Sequence, residues 1–187
     1  MASEIKANKI SPATGTDFTL GDSGDTFTIP SGATLTNSGT ASGFGKVLQV
    51  LQATKNDIAS TTSTTFADVS GLSVSITPSS ASNKILVFAT LMTSNVFGSS
   101  SVKLNLLRDS TILGEGSTGT QKASIGNYGY THSSALNWLD SPSTTSSTTY
   151  KIQFATDNSG NAIYVNRNGI DLNYTGSSSI TVMEIGA

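Results

Sequence analysis

Apolar and polar residues alternate with period two along much of this chain. Leu72, Val74 and Ile76 alternate with Ser73, Ser75 and Thr77. Val102, Leu104 and Leu106 alternate with Lys103 and Asn105, and Tyr150, Ile152 and Phe154 with Lys151 and Gln153. Successive side chains of an extended strand point to opposite faces, so each run predicts a strand with one buried and one polar face. Turn signals separate the runs: Asp22-Ser23-Gly24-Asp25, Pro30-Ser31-Gly32, Asn37-Ser38-Gly39, Ser70-Gly71, Asp157-Asn158-Ser159-Gly160-Asn161 and Asn168-Gly169. About ten short strands at this spacing predict an all-β fold, an antiparallel β-sandwich or jelly roll.

Three segments break the half-buried pattern. Ile85-Leu86-Val87-Phe88-Ala89 is continuously apolar, and Val47-Leu48-Gln49-Val50-Leu51 nearly so. Near the C-terminus Ile180 and Val182 point one way, Met183 and Ile185 the other. A strand that is apolar on both faces needs cover on both, whereas a two-layer sandwich covers one face of each sheet. The second cover is either a neighbouring subunit or another segment of the same chain. Val50, Val87, Met183 and Ile185 are therefore candidates for a subunit interface or for the core.

The first 43 residues read differently. Phe18/Leu20, Phe27/Ile29 and Ala33/Leu35 form a loose repeat of two apolar residues on one face, each followed by a glycine turn. Isolated hairpins are marginal in water, so one chain has no core to build here. Three chains wound about a common axis would bring Phe18, Leu20, Phe27, Ile29 and Leu35 together. The stretch Gly39-Thr40-Ala41-Ser42-Gly43-Phe44-Gly45 reads as a linker, dividing residues 1–43 from residues 44–187.

Composition sharpens this picture. Of 187 residues, 31 are Ser and 27 Thr, only 12% are charged, and the net charge is -2. Ser and Thr side chains compete for helical hydrogen bonds, and Thr favours strands. Nucleic-acid binding needs clustered Lys and Arg to neutralise phosphates, and no such cluster exists. No stretch reaches the ~20 apolar residues of a membrane-spanning helix, so no membrane insertion is expected. The opening Met1–Lys6 lacks the apolar core of a secretion signal. With no cysteine, there is no disulfide framework and no thiol nucleophile.

Little in the sequence points to catalysis. His132 is the single histidine, and no Gly-x-Ser-x-Gly elbow accompanies it. The carboxylates are few and scattered, so the close pair needed for glycoside cleavage is not evident. Asp157–Asn161 has alternate oxygen side chains but lacks the bidentate glutamate of a calcium loop, and reads as a hairpin turn. No metal or cofactor is expected. Tyr128, Tyr130 and His132 are candidates for receptor contact, because aromatic rings supply rigid area with a polar handle. Val96 and Phe97, an apolar pair among serines and glycine, are candidates for the same role. Trp138 shares a strand face with Leu136 and is expected in the core.

The segments Ser3–Ser11 and Asp25-Thr26-Phe27-Thr28-Ile29-Pro30-Ser31-Gly32-Ala33-Thr34-Leu35 resemble the openings of phage fibre-like virion proteins, especially from marine phages. Phe66–Pro78, Lys84-Ile85-Leu86-Val87 and Ser179–Ile185 are similar to a C-terminal module recurring in phage proteins. The resemblance implies a homotrimer: a short intertwined N-terminal β stalk that attaches to other virion proteins, and a head with a tumour-necrosis-factor-like jelly roll. It implies a location on the virion exterior, on tail or capsid, and adhesion to a host surface glycan or protein. Phage tail fibres are often far longer, and this chain has almost no shaft. A capsid decoration or head fibre without a receptor role is therefore one alternative, and a bacterial carbohydrate-binding adhesin is another.

Overall fold

The computed structural model describes residues 10, 12, 14–15, 17, 19–39, 47–96, 100–114 and 129–187, together with the backbone of 122–125. The chain divides into two compact units, Met1–Phe44 and Gly45–Ala187.

In the first unit, the described residues form turns but no strand. Ala33 N donates to Pro30 O at 3.0 Å across a turn whose third residue, Gly32, has φ +85°, the left-handed position that a type II turn reserves for glycine. Asp25 N donates to Asp22 O, and Asp25 Oδ2 accepts from Asp22 N at 2.7 Å. Leu20, Phe27, Ile29 and Leu35 are all exposed. Phe18 lies outside the described residues. Among the described residues the apolar pairs read from the sequence are thus left in solvent, and without burial nothing offsets the entropy of ordering strands there.

The second unit carries eleven strands among the described residues: β1 (Val47–Lys55), β2 (Ala59–Thr61), β3 (Ala67–Ile76), β4 (Lys84–Asn95), β5 (Ser101–Arg108), β6 (Thr111–Ile112), β7 (Lys122–Ile125), β8 (His132–Asp140), β9 (Thr148–Thr156), β10 (Ile163–Val165) and β11 (Ser178–Ile185). All pairings are antiparallel. One sheet runs β1-β11-β4-β8, with β10 continuing β11 along the edge of β4 and β2 pairing with β10. The other runs β3-β9-β5, and β5 carries β7 and β6 on its far edge. Leaving aside the short β2, β6 and β10, the chain crosses between sheets at every step except β5 to β7. That winding is the eight-stranded double Greek key of a jelly roll. The chain is an all-β jelly roll in this unit, and the described residues contain no helix.

The core lies between the sheets. Leu72, Val74 and Ile76 of β3, Ile85, Val87, Ala89 and Leu91 of β4, Val102, Leu104 and Leu106 of β5, Tyr150, Ile152 and Phe154 of β9, and Ile180 and Val182 of β11 all point inward and are buried. Those of β3, β5 and β9 are the apolar members of the alternating runs. Val87 is therefore a core residue.

Two polar groups are sealed into this core and hold distant strands. Asp140 at the end of β8 accepts from Tyr150 Oη at 2.7 Å and from Arg108 Nη1 at 2.8 and 2.9 Å. Burial, and then the hydrogen bond to Asp140, push the Tyr150 hydroxyl well above its usual range. Glu184 of β11 is fully buried. Its carboxylate accepts from Asn83 Nδ2 (2.6 Å), Gln49 Nε2 (2.6 Å), and Ser79 N and Oγ (both 2.7 Å).

The Asp157–Asn161 turn departs from the hairpin expected of it. It carries the chain from β9 in one sheet to β10 in the other, and Asp157 Oδ1 accepts from Ser101 N at 2.6 Å.

Candidate functional site

The strand directions give the second unit two ends. Val47, where β1 begins, lies at one end with the turns of residues 77–83 and 141–147 and the C-terminal Ala187. The opposite end gathers the connections of residues 56–66, 157–162 and 166–177, together with Val96, Ser100 and residues 129–131. The 12 residues of β4 separate the ends by roughly 40 Å at about 3.3 Å per residue.

The first candidate surface is the outer face of the β1-β11-β4-β8 sheet. The register places Val50, Met183, Leu86 and Leu139 side by side in one row across all four strands. Phe88 follows in the next row, and Ile185 and Leu48 border the first at the Val47 end. Val50, Leu139 and Phe88 are 52, 51 and 43% exposed. Met183, Ile185 and Leu86 are half-buried. Of the strands read as apolar on both faces, β4 and β11 are thus covered by the core on the inside, whereas β1 has no buried apolar residue, and on the outside Val50, Leu139 and Phe88 stand in solvent.

The second surface is the end opposite Val47. The segment Asn166–Gly176 is a tightly wired loop. Asn166 has φ +63° and is fully buried; its Nδ2 donates to Lys55 O at 2.7 Å and Asp57 O at 3.1 Å, and its Oδ1 accepts from Ser178 Oγ. An isolated bridge joins Arg167 to Thr175. Asn168 Oδ1 accepts from Ile170 N and Asp171 N at 2.8 and 3.0 Å, and Asp171 Oδ1 accepts from Asn173 N at 2.9 Å. Gly169 packs so closely on the Asn95 carbonyl that no Cβ would fit. Its N donates to Gly129 O at 2.8 Å, which sets this loop against the one carrying Tyr130. Arg167 lies over the Tyr164 ring at 4.2 Å. The large apolar side chains of these two loops left facing solvent are Tyr130 (62% exposed), Ile170 (52%), Leu172 (63%) and Tyr174 (64%), with Asn173 and Thr175 exposed among them.

Of the residues singled out for receptor contact, Val96, Tyr130 and His132 fall at this end; Val96 is half-buried and His132 exposed. Phe97 and Tyr128 lie outside the described residues. Ile170, Leu172 and Tyr174 were not foreseen; their alternation resembles that of a strand, and only the neighbouring Asn168-Gly169 was read as a turn. Trp138 departs from expectation. It keeps the inward parity of Leu136 but sits on the edge strand β8, 41% exposed, with its ring over Gly114.

The third surface is a polar depression of about 480 Å³ on the outer face of the second sheet, lined by Asp68, Ser70, Gly71, Ser73, Thr149 and Lys151. A bulge at Gly71 (φ +84°) opens it, in the register break between Asp68 and Ser73. Lys151 Nζ and Gln153 Nε2 hold the Asp68 carboxylate at 2.8 and 2.7 Å and keep it below its usual pKa. Among the described residues no group of three or more His, Asp or Glu is placed to hold a metal ion.

No protein-family model and no curated protein match the chain. Among solved structures it is similar to VP2 of infectious bursal disease virus. A mutant VP2 in derived T=1 particles aligns at 13% identity and a TM-score of 0.40, covering 74% of this chain and 36% of that one. The Gx strain virus aligns at 13% identity and a TM-score of 0.42, covering 74% and 37%. The chain thus spans a little over a third of the length of these relatives. The jelly-roll assignment itself rests on the strand order.

Proposed function

We propose that the chain is a structural virion protein of the phage-fibre type, a short homotrimer that acts in adhesion to the host surface. The observation that carries this reading is the uncovered row Val50–Met183–Leu86–Leu139 with Phe88 beside it. Contiguous apolar patches of this kind on soluble proteins mark interaction sites, and a second copy of the chain is the partner always at hand. In the first unit Leu20, Phe27, Ile29 and Leu35 are exposed likewise, and three chains would give them a common interior. The virion assignment itself draws on the resemblance of Asp25–Leu35 and of the head motifs to phage fibre-like proteins. No enzymatic activity and no cofactor are part of the reading. The N-terminal region attaches to other virion proteins, on the exterior of tail or capsid.

Light scattering on the purified chain tests the trimer: the expected mass is three times the 19.2 kDa of one chain. A mass near that of one chain at micromolar concentration overturns it. Met183→Asp places a charge in the middle of the apolar row without touching the core. It is expected to give smaller species with an unchanged far-ultraviolet spectrum. A second reading, a capsid decoration without a receptor role, accounts for the same apolar row. Antibody labelling of virions in micrographs, together with cell binding by the purified chain, separates the two.

A further inference from the structure

We infer that the loop end opposite Val47 is a contact surface for protein, with Tyr130, Ile170, Leu172 and Tyr174 as its anchors; this deepens the adhesion reading and rests on it. Three observations converge. The anchors sit on two adjoining loops locked together by the Gly169–Gly129 hydrogen bond. The longer loop is ordered by its own polar groups: the Arg167–Thr175 bridge closes it, Asn168 and Asp171 bond its backbone, and Asn166 ties its base to the Lys55 and Asp57 carbonyls. A loop held in one conformation before binding loses less entropy on contact. Asn166, Asn168 and Asp171 are engaged in this wiring, and the large side chains that remain exposed are aliphatic and phenolic, with the smaller Asn173 and Thr175 exposed among them.

That remainder selects the partner. A glycan presents hydroxyls, and burying one without a hydrogen-bond partner costs about 1–3 kcal/mol. Ile170 and Leu172 offer no partner. An apolar depression on a folded protein matches them, and tyrosines at the border suit a contact that is apolar inside and wet at its rim.

Area sets how the surface is used. Large side chains bury about 150–250 Å² each, so four of them, each more than half exposed, offer roughly 400 Å² per head. A stable protein complex needs about 800 Å² per partner. One head therefore binds weakly, and three linked heads reach the required area or gain avidity by engaging several targets at once.

The test applies the labelled full-length chain to a panel of bacterial strains, each taken intact, shaved with protease, or oxidised with periodate. On a strain that binds the wild-type chain, binding is expected to fall more than tenfold after shaving and to survive periodate. The double variant Ile170→Ser/Leu172→Ser is expected to lose binding more than tenfold, with its mass and melting temperature unchanged; Tyr174→Ala is expected to lose less. Ser75→Ala, on the other sheet, is expected to bind as wild type does. Loss on periodate with survival after shaving identifies a glycan and overturns the inference. So does full binding by the double variant, and so does a fall in its oligomeric mass, which would assign the patch to self-contact. Failure of the wild-type chain to bind any strain overturns the adhesion reading beneath it.

Discussion

Replacing Glu184 by Gln removes one negative charge from the interior of the head and changes its volume hardly at all. The carboxylate has no cation beside it among the described residues, and its four hydrogen bonds come from neutral donors on Gln49, Asn83 and Ser79. Burial alone would raise its pKa. The donors from Asn83, Gln49 and Ser79 outweigh burial and hold it at about 2, against an ordinary value of 4.5. At about 1.4 kcal/mol per pH unit, the gap corresponds to roughly 3 kcal/mol of folding stability. A glutamine at the same site keeps one acceptor oxygen but turns an amino group toward donors that then have nothing to bond. The expected loss for Glu184→Gln at pH 7 is therefore about 2–3 kcal/mol.

The pH dependence separates this account from a mere packing defect. Because the folded-state pKa is depressed, the stabilisation is fully present above pH 4.5 and is lost as pH falls from there toward 2. Urea unfolding of wild-type and variant chains at fixed protein concentration, at pH 7, 5, 4 and 3, measures the difference directly. Asp57, Asp68 and Asp157, also held low, titrate in both chains and cancel. The gap is expected to be constant from pH 7 to 5 and to narrow below. A variant within 0.5 kcal/mol of wild type at pH 7, or a gap that does not narrow at acid pH, refutes the reasoning.

Substitutions at three further positions probe the polar and steric fittings of the head. Tyr150→Phe removes one donor from the buried Asp140 and is expected to cost about 2 kcal/mol in urea unfolding. In the wild-type chain that contribution is present below pH 10, where an ordinary tyrosine titrates; it fades above, because the unfolded tyrosine ionises while the buried one stays neutral. Gly114→Ala places a Cβ 2.6 Å from the Trp138 ring at φ +62° and is expected to displace the indole. The chain holds one tryptophan, so an unchanged fluorescence spectrum would contradict the placement of that ring. Asn166→Ala loses the bonds to Lys55, Asp57 and Ser178 while keeping the left-handed backbone, at an expected cost of about 2–4 kcal/mol. Asn166→Gly should recover only the backbone part, about 1 kcal/mol, and thermal melting distinguishes the two.

Strand positions were legible because alternation is a local signal: the inward residues of β3, β5 and β9 are the apolar members of runs visible in the sequence. Cover was not legible, because it depends on what another part of the chain brings. Lys103 and Asn105 read as one polar face of β5, yet Asn105 is fully buried on that face, with Leu107 beside it. Trp138 has the parity of a core residue, but an edge strand leaves its ring half in solvent. Ile170, Leu172 and Tyr174 alternate as a strand would. Asn166 in a left-handed turn, with Asn168 and Asp171 bonding nearby backbone, gives that segment a local alternative to a sheet ladder. Glu184 carried a signal of its own, an acid on the inward parity of Ile180 and Val182, but its donors lie more than 100 residues away in sequence.

The rows across the first sheet also bear on how the two proposed contacts share one head. Beyond Val47, Ile185 and Lys84, which pair at the Val47 end, the outer rows read Val50–Met183–Leu86–Leu139, then Gln52–Thr181–Phe88–Asn137, then Thr54–Ser179–Thr90–Ala135. The face passes from wholly apolar, through one phenylalanine among polar groups, to small and hydroxyl-bearing. Burial of apolar area drives association at about 25 cal/mol per Å², so a neighbouring subunit seated on this face gains most near Val47 and progressively less toward the loop end. Each row is about 7 Å along the strand from the next, which places the polar rows between the apolar row and the loops bearing Tyr130, Ile170, Leu172 and Tyr174. Self-association and target contact then occupy opposite ends of a sandwich roughly 40 Å long. Under this arrangement charges introduced at Met183 and at Leu172 act independently: the first alters mass and the second alters binding per head. Coupling between them of more than about 0.5 kcal/mol in a double-mutant cycle on stability would show that the two contacts share residues after all.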